Sequence, residues 1–409
     1  MSEGYRLYSS LPGGIRPRVY ASIDTGALGR NYRKLASRLP AGCLPVGVVK
    51  ADAYGHSAAI CVPELLRGDC RFFAVSSPEE ALAVREICDT VAGVSRGSGS
   101  CIEGGADARI LILGYSCPES VPLLIKHRIE QSCYSTEYAE KLSRASDACG
   151  GGLKIHIKLD TGMNRLGFTA RRTEDVGHAV EEIKKAAALP GLEIAGAFSH
   201  FFEADEKTPG AEAATRAQAS FFLRVTGELI AAGIPLKTRH ICNTAGTLLY
   251  PEYALDACRL GIGLYGLDPS PDAVAGLEPV LKLKTEVSHV HLLRKGESVS
   301  YGGTFTADRD MRLVTLPIGY ADGFIRAYSG AVAVIYSPSG EKKGSVRTVG
   351  RICMDQCMAD ASGCDAEPGD TAVLIGEPGQ IADLAARAGT INYECVCVLS
   401  SRVPRFRAE

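Results

Sequence analysis

The chain predicts an α/β fold, an N-terminal (β/α)8 barrel of the TIM type, followed by a C-terminal mostly β-stranded domain. Three observations carry that expectation. From about residue 45 to 265, short apolar runs alternate with amphipathic stretches, as in a parallel sheet wrapped by helices. Eight such units in about 220 residues match the usual size of a (β/α)8 barrel. Beyond about residue 275 the runs shorten and alternate apolar with polar positions, with Gly, Pro and Ser between them. At 409 residues the chain also exceeds the size at which one core stops growing, so two domains are expected.

The eight runs are VGVVK at 46, FFAVS at 72, RILILG at 109, RIEQSCY at 128, LKIHIKL at 153, LEIAGAFS at 192, TRHICN at 238 and DACRLGI at 256. RIEQSCY is the weakest of them, having little apolar content. Between runs lie helical patterns such as SPEEALAVREI, in which Ser77 suits the N-cap, Pro78 the first helical position, and Glu80 a capping box. The stretch DPSPDAVAGLEP carries three prolines and sets the boundary between a barrel domain, 1–274, and a β-domain, 275–409; a short N-terminal segment is allowed to join the latter. In the β-domain, LKLKTEVSHVHLL reads as one strand bulged after Val287. RLVTLPIG, AVAVIYS, RTVGRICM, TAVLIGE and YECVCVLSSRV read as further strands, with one short helix at IADLAARAG. The Gly- and Ser-rich insertion at 93–107 reads as surface loop without chemistry.

Composition excludes several functions. Apolar residues make up 46% and charged residues 22%, and the formal net charge is −2, with basic residues dispersed rather than striped. Nucleic acid is therefore not an expected partner. No apolar stretch of signal-peptide or membrane-span length appears, so a cytoplasmic protein without a membrane partner is expected. The 15 cysteines are scattered and odd in number, and read as small buried hydrophobes, Cys242 and Cys397 inside strands. With no Cys-x-x-Cys pair, no metal site is expected.

Barrel enzymes build their sites at the C-terminal ends of the strands. The unusual polar residues fall there: Lys50 ends the first run, Lys158 and Asp160 the fifth with Arg165 beyond, His200 the sixth, Asn243 and Thr244 the seventh, Arg259 and Gly261 the eighth. An amine at the edge of a core is disfavoured as an ammonium, which suits it to condense with a carbonyl. The plain alternative is a lysine that leaves a strand and reaches water. The loops CNTAG and RLGIGLYG offer a hydroxyl and free backbone amides to a phosphate. GIGLYG matches a dinucleotide fingerprint, but LDPSPD follows instead of a helix, so a dinucleotide site is not expected. A phosphate site opposite a strand-end lysine suggests pyridoxal phosphate.

On VVKADAYGH, KLDTGMNRLGF, SHF, CRLGIGLYG, SVSYGGTF, IGYADG, GRICMDQ, INYE and SRVPR, in that order from about residue 17 to 405, the sequence closely resembles the alanine racemases, the fold-type III pyridoxal-phosphate enzymes. The resemblance implies pyridoxal 5′-phosphate carried by Lys50. It implies that Tyr54, His200, Asn243, Thr244, Gly261, Ile262 and Tyr393 hold the cofactor, mostly at its phosphate, and that Arg259 faces the pyridine nitrogen. Tyr301 resembles a second base that reaches the site from the other subunit of a homodimer, with His200 bonded to it. Arg165 and Met354 would meet the carboxylate of a small amino-acid substrate, and Asp355 and Tyr320 would support them. Lys158 matches a lysine that is carbamylated in many relatives.

Lys50 and Tyr301 would then act as two bases on opposite faces of the substrate and racemise alanine, supplying D-alanine for peptidoglycan. A phenol with a pKa of about 10 needs positive charge nearby to act as a base, and His200 with the Arg165 neighbourhood is expected to supply it. Arg259 has a plain alternative, an ion pair with Asp256; Met354 is ordinarily core, and Cys353 and Cys357 read as core. Asn164 stands where Gly or His is frequent in the family and Thr244 where Ser is common. Tyr393, often smaller in members that prefer serine, favours alanine. A pyridoxal-phosphate carrier without turnover, a broad or serine-directed racemase, and a related decarboxylase are the competing functions.

Overall fold

In a computed structural model, the structure describes residues 17–94, 105–269 and 276–408. The chain divides into two compact units, one of residues 28–53 and 61–278, the other of residues up to 27, 54–60 and 279 onward. The first strand, β1 (Val19–Ile23), belongs to the second unit, because it pairs there with strands from the far end of the chain.

The first unit is a parallel sheet of β2 (Leu44–Val48), β3 (Phe72–Val75), β4 (Arg109–Ile112), β5 (Ile129–Cys133), β6 (Leu153–Asp160), β8 (Leu192–Phe198), β9 (Thr238–His240) and β10 (Ala257–Leu260). Two-residue β7 (Phe168–Thr169) pairs with β6. The order β10-β2-β3-β4-β5-β6-β8-β9 nearly closes into a barrel. At the remaining seam, Asp256 N donates to Arg239 O at 3.1 Å and Arg259 N to Cys242 O at 3.0 Å.

All eight expected runs form strands, and the weak fourth one shows why it looked weak. Every residue of β5 is buried, Glu130, Gln131 and Ser132 included. Their polar groups are bonded inside the fold, so burial there follows hydrogen bonding rather than apolarity. Helices between strands start as their capping residues dictate: Ser135 accepts from Tyr138 N at 3.1 Å, and Thr208 from Ala211 N at 3.1 Å with Pro209 in the first turn.

The second unit holds β11 (Leu281–Glu286), β12 (His289–Leu293), β13 (Ser298–Val299), β14 (Phe305–Thr306), β15 (Met311–Leu316), β16 (Val332–Tyr336), β17 (Lys342–Val349), β18 (Cys357–Asp360), β19 (Thr371–Ile375) and β20 (Arg405–Arg407). Its main sheet runs β12-β15-β18-β17-β16-β19-β11-β1-β20, and β13 and β14 make a separate hairpin. The expected helix is present at Gln380–Ala388.

Three expectations are corrected here. The phase shift after Val287 is not a bulge in one strand, since β11 and β12 occupy distant places in the sheet; the irregularity of β11 lies at Leu283/Lys284, opposite β19. YECVCVLSSRV is not a strand. Residues Asn392–Cys397 are helical, with Cys395 and Val396 buried, and six residues rich in Val and Cys are too few to show a helical period. Nor are the cysteines uniformly buried: Cys117, Cys149 and Cys397 are exposed, and Cys242 lies just beyond β9 rather than in a strand. Most of the 93–107 insertion, residues 95–104, lies outside the described residues. Among the described residues no helix is long and apolar enough to cross a membrane.

Candidate active site

Lys50 follows β2 and is half-buried at the strand's C-terminal end. The chain then makes a turn that the sequence did not announce. Ala51, Asp52, Ala53 and Tyr54 all have φ between 51° and 56°, a left-handed helical turn of four non-glycine residues. Each such residue costs roughly 1–2 kcal/mol, so the turn persists only because its surroundings impose it. One clamp is Glu80, whose carboxylate accepts from Ala51 N and from Ser76 N, both at 2.7 Å. Ser77 does cap Glu80 N, at 3.4 Å, but the expected reciprocal capping bond is replaced by this bridge to the residue after Lys50.

Arg259, on β10, is 3% exposed. Its guanidinium donates to the carbonyls of Ser199, His240 and Ile241 at 2.7–3.1 Å, to His240 Nδ1 at 2.7 Å and to His200 Nδ1 at 3.1 Å. The proposed ion pair with Asp256 does not form. That carboxylate accepts instead from the backbone N and the guanidinium of Arg239. His200 is held well below the ordinary histidine range, first by burial, then by the charges of Arg259, Lys158, Arg165 and Lys50. It is therefore neutral, which corrects the expectation that it supplies positive charge to a phenol.

Lys158, on β6, is 5% exposed and donates to Leu159 O at 2.6 Å. Burial, with Arg259 and Arg165 adding to it and Asp160 opposing, lowers its pKa to about 7. Asp160 organises the following loop: it accepts from Gly162 N and Asn164 N, both at 3.0 Å, and from the guanidinium of Arg171. Asn164 has φ 55°, a conformation that Gly and Asn tolerate better than most residues, and this accounts for Asn where Gly is frequent. Arg165 beside it is exposed.

The loops after β9 and β10 meet closely. Asn243 caps the short helix Thr244–Leu249 by accepting from Gly246 N at 2.8 Å, and Thr244 Oγ1 accepts from Gly261 N at 3.0 Å. A Cβ on Gly263 would lie 2.6 Å from Thr244 Cγ2, so the approach needs glycine. Ile262 opens the single 3-10 turn that follows Gly261 and is buried.

The second unit gathers the remaining expected residues. The rings of Tyr54 and Tyr393 lie 6.3 Å apart. Tyr301 sits in the β13–β14 hairpin, after Ser300 with φ 65°, and is 70% exposed. Ser300 Oγ donates to Arg351 O at 2.6 Å and lies 3.3 Å from Cys353 Sγ, which joins the Tyr301 loop to the Met354 turn. Tyr320 N donates to Cys353 O and Ala321 N to Met354 O, both at 3.1 Å. Met354 is 52% and Tyr320 40% exposed, so Met354 is not core, and Cys353 is half-buried. Cys357 is buried as expected. Asp355 pairs with Arg402 at 2.7 Å, linking CMDQ to SRVPR.

Sequence reasoning missed a polar line inside the barrel. Glu130 on β5, His156 on β6 and His240 on β9 are buried and bonded in succession, ending at Arg259. The available signal was ionisable residues inside the strand runs RIEQSCY, LKIHIKL and TRHICN.

Comparison with known proteins follows the same division. A family model described as "Alanine racemase, N-terminal domain" matches residues 23–269, and one described as "Alanine racemase, C-terminal domain" matches residues 280–407. An alanine racemase of Clostridium novyi is 36% identical over 400 residues, covering 96% of this chain and 95% of that protein. "Alanine racemase 1" of Clostridium acetobutylicum is 39% identical over 403 residues, with 96% and 95% covered. Among solved structures, the alanine racemase of Clostridium difficile 630 aligns with a TM-score of 0.82 at 32% identity, covering 96% of each chain. The same protein in complex with cycloserine gives 0.81 at 31%, again with 96% of each chain covered.

Proposed function

This chain belongs to the alanine racemase family and is an isomerase; from that premise we propose that it interconverts L- and D-alanine with pyridoxal phosphate by a two-base mechanism. The observation that carries the reading is the buried Arg259, whose bonds run to carbonyls and neutral imidazoles while Asp256 is engaged elsewhere. A permanently charged donor in such surroundings suits a neutral ring nitrogen, because it hydrogen-bonds that nitrogen without protonating it.

The residues fit the cofactor. Thr244 Oγ1 accepts from Gly261 N, which leaves its own proton for a phosphate oxygen, and the close approach that Gly263 allows brings the backbone after β10 beside that hydroxyl. On the family resemblance, Tyr54 and Tyr393 serve the same phosphate, Asn243 shapes its loop, and Lys50 carries the group. Bound pyridoxal phosphate supplies a carbonyl for the substrate amine and a ring that spreads the charge left when Cα loses its proton.

Lys50 takes or returns the Cα proton on one face. Tyr301 of the partner subunit does so on the other; its exposure on a hairpin stiffened by Ser300 fits a group offered to a second copy. With His200 neutral, the charge that makes the phenol a usable base falls to arginine, Arg165 first. Arg165 and Met354 orient the substrate carboxylate, with Asp355 and Tyr320 supporting the Met354 turn. Lys158, with a pKa of about 7, holds a substantial neutral fraction at neutral pH, the form that reacts with carbon dioxide, and we assign it as a carbamylation site. The product serves peptidoglycan synthesis in the cytoplasm.

The test is a spectrum of the purified protein with pyridoxal phosphate, then L-alanine and chiral detection of the product. A visible absorbance band that Lys50→Ala abolishes, together with D-alanine, is expected. A band without D-alanine from any amino acid means a carrier, and product from serine ahead of alanine means a different specificity.

A further inference from the structure

The polar line inside the barrel has one internally consistent proton order. It begins near the N-terminal ends of the strands, where Arg109 donates to both oxygens of Glu130 at 2.8 Å. Glu130 Oε2 lies 2.7 Å from His156 Nε2, His156 Nδ1 lies 3.1 Å from His240 Nε2, and His240 Nδ1 lies 2.7 Å from Arg259 at the other end. Arginine only donates, so His240 Nδ1 is the acceptor, and a neutral imidazole then carries its proton on Nε2. That proton goes to His156 Nδ1, which places the proton of His156 on Nε2, facing the carboxylate at 2.7 Å; Arg109 Nη2, 3.3 Å from the same nitrogen, gives its hydrogen to Glu130 at 2.8 Å instead. Burial keeps both imidazoles below the ordinary histidine range, leaving one proton on each. Burial opposes the Glu130 carboxylate, but the hydrogen bonds from His156 and Arg109 and the charge of Arg109 prevail and hold it below the ordinary carboxylate range. The reverse order would aim two donors at each other across 2.7 Å.

We propose that Glu130 is a positioning residue for Arg259: by fixing the proton order of His156 and His240, it keeps a lone pair on His240 Nδ1 against the guanidinium and sets the orientation in which Arg259 meets the cofactor ring. The last clause rests on the assignment of Arg259 to pyridoxal phosphate. Glu130, near the N-terminal end of its strand, thus acts on Arg259 through two imidazoles.

Two variants test this. Glu130→Gln offers His156 an amide donor that favours the reverse order. Because it also strips Arg109 of its ion pair and threatens folding, His156→Leu is the second variant, which breaks the line and keeps that pair. In the full chain labelled with 15N-histidine and free of added cofactor, ring-nitrogen shifts of the wild type are expected to show Nε2 protonated on His156 and His240, unchanged through neutral pH. In the folded variants, His240 is expected to gain a form protonated on Nδ1, with Arg259 displaced from that nitrogen. In the loaded enzyme the same variants lower kcat about tenfold with KM held within about twofold. The opposite order in the wild type, an unaltered His240 in both variants, or an altered His240 with kcat unchanged overturns the proposal. A wild type that takes up no pyridoxal phosphate refutes the proposed function instead, and the ring-nitrogen shifts still judge the relay.

Discussion

Lys50 and Tyr301 are assigned opposite faces of the same carbon, so their loss should differ in kind. Lys50→Ala is expected to abolish both racemisation and the visible band. Tyr301→Phe is expected to keep the band and to lose solvent-proton exchange at Cα from one enantiomer far more than from the other. Full activity of Tyr301→Phe in both directions, read by deuterium incorporation, would remove it as a base. Lys158 predicts a pH effect whose sign follows from its lowered pKa. Between about 7 in the fold and its ordinary value of 10.5, the unfolded chain binds more of this proton, so stability falls as pH drops through that window and levels off below it. Lys158→Met should therefore raise Tm in buffer free of carbon dioxide, and by more at neutral pH than near pH 10 (about the ordinary lysine pKa). An equal rise at both would mean that the amine is not the source.

Two local devices matter at the scale of elements. The left-handed turn after Lys50 hangs on one helix through Glu80, whose carboxylate holds Ala51 N and Ser76 N. Glu80→Ala should cost roughly 1–3 kcal/mol in denaturant unfolding, as for hydrogen bonds to a charged group, and should speed exchange of the Ala51 amide. Unchanged exchange there would show that the turn holds without Glu80. Between the loops after β9 and β10, Gly263→Ala pushes a methyl against Thr244 Cγ2. The expected result is weaker binding of pyridoxal phosphate with the barrel still folded, measured by titration of the cofactor-free protein.

At the scale of the whole molecule, the proposed sharing of the site between two subunits makes a prediction no single chain can. On that proposal Lys50→Ala and Tyr301→Phe homodimers should each be impaired, and a mixed dimer should restore one site, with Lys50 from one chain and Tyr301 from the other. Mixed and re-associated in equal amounts, the two should recover about a quarter of wild-type sites, since half the dimers are mixed and each has one intact site. No recovery would place both residues in the same chain's site.

What the sequence determined by itself is what periodicity and spacing record. Eight strand runs, the change of texture near residue 275, the polar residues at strand ends and the ordered motifs were all legible, because each is local or tied to a repeating unit. Even the doubtful RIEQSCY was a strand. Only the tertiary structure decided where β1 pairs, because its register with β11 joins residues in different domains of the sequence and that with β20 joins nearly the two ends of the chain. It alone turned YECVC into a helix, gave Asp256 to Arg239 rather than Arg259, exposed Met354 and left His200 neutral. It alone strung Glu130, His156 and His240 together, since a buried polar group is set by the partner that reaches it, and that partner sits on another strand.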